Sequence, residues 1–174
     1  MDSSNLTVLY PAPIGVLQLE ANEQGALTHI QWQPPVRLIP KALPMWHSDQ
    51  HSFSAGSCAS EVLKTLCEQL DTYFFGSRTP FTLPIAYEGS AFEQAVWKAL
   101  TLIPYGTVRT YKQIALQCGH PQAVRAVGQA LHRNPLLIVI PCHRVIASDG
   151  TLGGFACGVA VKQFLLRLEG VTLF

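Results

Sequence analysis

The sequence lacks several features that would each have pointed to a different kind of protein. It has no apolar run of spanning length and no charged-then-apolar leader, so neither a membrane partner nor a secretory signal is expected. It has no C-x-x-C pair, and its five cysteines (Cys58, Cys67, Cys118, Cys142 and Cys157) are odd in number and widely spaced. That argues against a disulfide framework and fits a reducing compartment. No internal repeat or low-complexity tract is visible. Charge is also scarce, at 13% of 174 residues against 48% hydrophobic, which is the balance of a compact chain and not of a disordered one. The expectation is a cytoplasmic protein built as one large domain or two small ones.

The charge that is present is unevenly placed. Residues 1–88 carry four cations against eight anions, net −4, and residues 89–174 carry eight against three, net +5. A basic second half suits contact with a polyanion, and an ordinary solvated surface is the alternative.

Patterning divides the chain in the same way. Residues 14–21 and 26–32 alternate apolar and polar side chains around Asn22-Glu23-Gln24-Gly25, the signature of a β-hairpin. Residues 33–57, with four prolines, read as loop. A helix is predicted from Ser60 to Phe75, burying Leu63, Leu66, Leu70 and Phe74 and stopping at Gly76. Pro80 and Pro84 mark a further strand and linker. The predicted architecture is an α/β N-terminal domain of antiparallel sheet plus helix over residues 1–86. A mostly α-helical domain with a helix-turn-helix follows over residues 87–174.

In the second half, Ser90-Ala91-Phe92-Glu93 and Thr110-Tyr111-Lys112-Gln113 are capping boxes that open helices. The first helix should bury Phe92, Val96, Leu100 and Ile103. Cys118-Gly119-His120 is a turn, Pro121 suits the first position of the next helix, and Asn134-Pro135 ends it. Two short helices joined by a Gly-containing turn form a helix-turn-helix pattern. The second helix is predicted to bury Val124, Val127 and Leu131. Elsewhere it carries small residues (Ala123, Ala126, Gly128, Ala130) around Arg125, so it could approach nucleic acid or simply another helix. A last helix presents Val161, Phe164, Leu165 and Leu168 on one face, with Glu169 at its end, where a carboxylate opposes the helix dipole.

The most informative segment is Leu136-Leu137-Ile138-Val139-Ile140, an apolar run that ends in Pro141-Cys142-His143-Arg144-Val145. The run reads as a buried extended segment, and Pro141 stiffens its end. It delivers a thiol, an imidazole and a guanidinium to a fixed place. A thiolate is the reactive form of cysteine, and a base or nearby cation makes it available. The same adjacency also fits a packing cysteine or a metal ligand. With Glu169 as orienting acid, Cys142 and His143 could form a triad.

Together these motifs closely resemble the O6-alkylguanine-DNA alkyltransferases. The match runs through Val96-Trp97, Ile103-Pro104-Tyr105-Gly106, Thr110-Tyr111, Arg125-Ala126-Val127-Gly128, Asn134-Pro135, Pro141 to Val145, Gly153-Gly154-Phe155, Lys162 and Leu165 to Gly170. It is dense from Ser90 to Gly170 and thin before. The resemblance implies irreversible, stoichiometric transfer of an alkyl group from O6-alkylguanine in duplex DNA to the protein's own cysteine after nucleotide flipping. O4-alkylthymine is left open as a second substrate.

By resemblance, Cys142 is the acceptor, His143 its base, Glu169 the orienting acid and Tyr111 the donor to the leaving guanine. Asn134 pins the nucleophile's turn. Arg125, on a helix that also carries Ala126 and Gly128, fills the gap left by the flipped base in the minor groove, and Thr110 with Tyr111 adds to the DNA contact. Val145, Phe155, Ala156 and Cys157 line the base pocket. Arg144 reads as a structural ion-pair partner. The implied protein is a monomer that binds double-stranded DNA with little sequence preference, without cofactor or catalytic metal.

Some members carry a structural zinc in the N-terminal domain; here His47, His51 and Cys58 imitate ligands, but their spacing fits no standard site. Phe155 stands where many members have tyrosine. Three other readings compete: a lesion-recognition protein lacking transfer, a helix-turn-helix regulator, and a cysteine hydrolase. The first is disfavoured by the presence of Cys142. The second leaves Cys142, His143 and Glu169 without use, and the third lacks any sign of an oxyanion hole.

Overall fold

The structure, a computed structural model, describes residues 5–34, 57–76 and 80–172. It divides into two compact units, Met1–Tyr87 and Glu88–Phe174.

In the first unit, β1 (Leu6–Ala12), β2 (Gly15–Ala21) and β3 (Leu27–Gln33) form an antiparallel sheet in that order. The predicted hairpin is β2 and β3, with Leu19 opposite Ile30 and Leu17 opposite Trp32. Leu17, Leu19 and Ala21 are buried on one face of β2, as strand alternation requires. Strand β1 was not anticipated. Its Val8, Leu9 and Tyr10 are all buried, so the alternation that would mark a strand is missing, and Pro11 argues against one. Pro11 is tolerated near the end of β1, which pairs on one side only among the described strands.

Helix α1 (Cys58–Phe75) packs on this sheet. Ser57 caps it, and Leu63, Leu66, Leu70 and Phe74 are buried as expected. Tyr10 donates to Asp71 at 2.6 Å, joining sheet to helix. Gly76 ends the helix at φ −124°, so no left-handed residue is needed there. The strand expected near Pro80 and Pro84 does not form. Residues 84–86 make only a single bridge to Leu27, whose N–H donates to the Pro84 carbonyl and whose carbonyl accepts from the Ala86 N–H; Pro84 itself has no N–H to give to a ladder. Most of the predicted 33–57 loop, with His47 and His51, lies outside the described residues. Cys58 is exposed at the start of α1.

The second unit contains α2 (Ala91–Thr101), β4 (Arg109–Thr110), α3 (Tyr111–Gln117), α4 (Val124–His132), β5 (Val145–Ile146) and α5 (Val159–Leu168). Both capping boxes form. Trp97 of α2 donates its indole N–H to the Ala130 carbonyl on α4 at 2.8 Å and is buried with Val96 and Leu100. Phe92 is instead half-buried, edge-on to His120. Helix α4 begins three residues later than the proline rule suggested: Pro121, Gln122 and Ala123 stay in the turn, where His120 accepts from the Ala123 N–H. Its buried face is Val127, Ala130 and Leu131, while Val124 is exposed. On α5 the buried positions are Lys162, Leu165 and Leu166, and Phe164 is exposed.

Two features position the site. The parallel pair β4–β5 sets Arg109 against Val145 and Thr110 against Ile146, joining the start of α3 to the residues after Cys142. The Leu136–Ile140 run is buried as expected apart from the half-buried Val139, but it is not extended. Ile140 and Val139 donate back to Leu136 and Leu137, and Ile138 takes φ +73°. A β-branched residue in that region is strained by about 1–3 kcal/mol, and the surrounding burial holds it there.

Candidate active site

Pro141 leads into a single 3-10 turn, Cys142–Arg144, which sends three consecutive side chains in different directions. Cys142 is nearly buried and opens onto a cavity of about 630 Å³. Helix α4 supplies one wall with Val124, Arg125, Gly128, Gln129, Leu131 and His132. Tyr111 at the start of α3 and the loop Gly154-Phe155-Ala156 supply the rest.

Asn134 fixes the nucleophile's surroundings. Its amide nitrogen donates to the Ile140 carbonyl at 2.8 Å and to Cys142 Sγ at 3.1 Å, while its oxygen accepts from the Leu136 N–H at 3.0 Å. An amide donor aimed at sulfur favours the thiolate. Lys162 and backbone N–H groups of the 3-10 turn act in the same direction, but burial outweighs them and pushes the Cys142 thiol above its ordinary value. The resting sulfur therefore carries its proton and needs a base at the moment of reaction.

His143 is fully buried on the other side of the turn. Its Nε2 is 2.7 Å from Glu169 Oε1. Burial, helped by Arg144 and Lys162, pushes the imidazole down despite Glu169. A neutral ring with its proton on Nε2 donates to Glu169 and leaves Nδ1 with the lone pair; Nδ1 has no hydrogen-bond partner among the described residues. Burial of Glu169 works against its ionisation, but hydrogen bonds from His143 and Arg144 prevail and hold its carboxyl down to about 2. Gly106, at φ +72°, adds a backbone N–H to Glu169 at 3.1 Å, and a side chain there would collide with the Glu169 carbonyl.

Tyr111 faces the thiol across the cavity. Burial and the Cys142 sulfur push it up, so it remains a proton donor. Gly153, at φ +66°, lets the loop lie against the Tyr111 ring, where an added Cβ would come within 3.2 Å. Lys162 is fully buried; its ammonium donates to the Val145 and Leu152 carbonyls and lies 5.8 Å from the Tyr111 ring centre. Burial pulls it down to about 8.

Comparison with known proteins supplies the family. Residues 91–171 match the model described as 6-O-methylguanine DNA methyltransferase, DNA binding domain, and residues 6–87 match the ribonuclease-like domain of the same name. The methylated-DNA–protein-cysteine methyltransferase of Methanosarcina barkeri is 45% identical over 159 residues, 91% of this chain and 92% of that protein. The chain belongs to the 6-O-methylguanine DNA methyltransferase family. The Haemophilus influenzae methylated-DNA–protein-cysteine methyltransferase is 39% identical over 163 residues, 93% of this chain and 84% of its own. Mycobacterium tuberculosis OGT, crystallised in complex with DNA, aligns with a TM-score of 0.76 at 36% identity, covering 94% of this chain and 91% of that one.

In this family member the residues singled out from sequence do not all meet. Cys142, Tyr111, Arg125, Gly128, Phe155 and Ala156 share the cavity. His143, Glu169 and Asn134 stand around the nucleophile's turn. Val145 and Cys157, expected in the pocket wall, are buried and do not line this cavity: the Val145 carbonyl binds Lys162, and burial beside Cys142 pushes Cys157 up to about 12. Ala126 is exposed outside the lining, and Thr110 caps α3. Sequence reasoning overlooked Gln129 and His132. The spacing 125, 128, 129, 132 is one face of a helix and would have found them. It also left Lys162 unassigned. Among the described residues, no cluster of three His, Cys, Asp or Glu side chains could hold a metal, and no helix is long and apolar enough to cross a membrane.

Proposed function

We propose that the chain repairs alkylated DNA by direct reversal, taking the alkyl group from O6-alkylguanine onto Cys142 in a single irreversible event. The observation that carries this is the Cys142 thiol opening onto a cavity, with a hydrogen-bonded His143–Glu169 pair packed behind it. The names of the relatives and the DNA-bound crystal structure of the mycobacterial protein support the substrate class.

In this mechanism His143 Nδ1 takes the Cys142 proton through a water, and Glu169 steadies the imidazolium that forms. Sulfur then attacks the alkyl carbon, an S–C bond forms and the C–O6 bond breaks. The electron pair leaves with guanine, and Tyr111 donates a proton to guanine N3 as charge develops. The imidazolium then gives up its proton and the Tyr111 phenolate regains one, exchanged through water, so the net proton transfer is from the Cys142 sulfur to guanine. The thioether is not reversed by thiol exchange, so each molecule reacts once. Asn134 holds the sulfur's turn in register.

The target oxygen lies inside the base stack, so the nucleotide must rotate out into the cavity. Arg125, on the exposed face of α4, fills the space it leaves from the minor groove. Phosphate contacts give affinity with little sequence preference, and affinity falls as salt rises. The chain works as a monomer in the cytoplasm, with binding and chemistry both in residues 88–174.

The decisive measurement is intact-protein mass after incubation with a duplex containing one O6-methylguanine, followed by peptide mapping. The expected result is one added methyl on the Cys142 peptide, saturating at one equivalent. Tight lesion binding without mass gain would move the protein to the recognition class, and binding indifferent to the lesion would move it to the regulators.

A further inference from the structure

Arg144 is held more firmly than an ordinary ion pair requires. Glu169 Oε1 accepts from His143 at 2.7 Å and from Arg144 Nη2 at 2.9 Å; Oε2 accepts from Arg144 Nε at 2.8 Å and from Gly106 N–H at 3.1 Å. The remaining arm of the guanidinium, Nη1, donates to the Ile103 carbonyl at 2.6 Å, and the guanidinium carbon Cζ lies 5.7 Å from the Tyr105 ring centre. Tyr105 in turn donates to the Leu168 carbonyl, next to Glu169. Arg144 is thus fixed from both sides in a geometry that serves one carboxylate, and that carboxylate also serves the base.

The electrostatic consequence follows from burial. A lone buried carboxylate in contact with an imidazole favours the imidazolium strongly. An imidazolium cannot accept the Cys142 proton, so Glu169 by itself would orient the base and disable it together. A guanidinium brings a permanent positive charge. Paired in a fork with Glu169, it opposes the carboxylate's field at the ring, adding to the larger effect of burial, while leaving the orienting hydrogen bond in place. The other groups acting on His143 are its own burial and Lys162 on α5, and both also oppose the imidazolium.

We propose that Arg144 is a positioning residue for the transfer reaction, sharing Glu169 with His143 so that the imidazole is oriented by the carboxylate yet stays a neutral base. This rests on the proposed alkyl transfer, but its primary test does not. The protonation state of His143 can be followed by NMR on the full chain with labelled imidazole, without DNA, across about pH 5 to 8, where a free imidazole titrates.

In the unmodified protein His143 is expected to remain neutral throughout. In Arg144→Met it is expected to titrate within or above that range. Arg144→Lys restores a charge and is expected to return the ring to neutral even where hydrogen-bond geometry is impaired. If Arg144→Met does not fold, Arg144→Gln carries the same test, since it keeps a donor toward Glu169 without the charge. The single-turnover rate should follow the ring, with the acid limb moved upward and about a tenfold loss for each pH unit below the new midpoint. A folded Arg144→Met or Arg144→Gln protein whose His143 stays neutral would overturn the proposal, as would a lysine variant whose ring titrates like that of the methionine variant. Failure of alkyl transfer in the unmodified protein would instead strike the functional reading and leave the titration intact.

Discussion

Cys67 and Cys142 are both buried thiols, one in each unit, and both are held in the protonated form mainly by burial. Their surroundings differ in sign. Around Cys67 the neighbours are the carboxylates Asp71 and Glu68, which push the thiol up further. Around Cys142 they are the Asn134 amide, the Lys162 ammonium and backbone N–H groups, all of which favour a thiolate. Cys142 also opens onto a cavity and has an imidazole on the next residue. Burial alone therefore makes a thiol inert; a site arises when donors and a base surround it before it ionises.

The contrast can be broken first at the sulfur itself. Cys142→Ala should abolish transfer while duplex binding persists, whereas Cys67→Ala should keep one equivalent of transfer and lose only about 1 kcal/mol of stability. Intact mass and thermal melts read both, and transfer surviving in Cys142→Ala would remove it as acceptor. Next comes the base. Glu169→Gln should slow single-turnover transfer by roughly a hundredfold and cost about 3–5 kcal/mol, because Arg144 is left buried without its partner. The same group sets acid sensitivity. Its carboxyl ionises near 2 in the fold against an ordinary 4.5, so its stabilisation is complete above 4.5 and is lost as pH falls toward 2. Acid titration of Glu169→Gln should lack that component.

A smaller effect is expected at Arg125. Arg125→Ala should lower repair in duplex DNA by about tenfold and leave reaction with the free base nearly unchanged; equal losses would remove it from flipping. Asn134→Ala removes one donor from the sulfur and should slow iodoacetamide labelling of Cys142 by a few-fold to about tenfold. The smallest effect belongs to Asp71→Asn. Burial is the leading cause of Cys67's shift, so labelling of Cys67 should stay negligible after the carboxylate is gone.

The sequence was most legible where structure is local. The caps at Ser90 and Thr110, the α1 stripe and the β2–β3 hairpin each declare themselves within a few residues, through side-chain bonds to the next turn or through alternation. It was least legible where burial is two-sided or turns are tight. Strand β1 shows three consecutive buried residues and no alternation. The Leu136–Ile140 run looked like a strand because apolar character reports burial and not φ, and Ile138 is left-handed. Phe164 looked like core on α5 but is exposed, whereas Lys162 is buried with Leu165 and Leu166, its charge met by backbone carbonyls that no periodicity reveals.

The sequence by itself determined the two-part organisation, the helices of the second unit and the adjacency of Cys142 and His143, because these depend on neighbours in the chain. Glu169 and Asn134 could be named from the sequence by resemblance, but only the tertiary structure decided how they and the other groups surround the pair. Glu169 reaches His143 across 26 positions, Ile103 meets Arg144 across 41, and the Gly106 N–H meets Glu169 across 63. Those contacts exist because packing brings separate segments into one buried volume. There an unmatched charge or donor is too costly to leave, and each must find its partner from elsewhere in the chain.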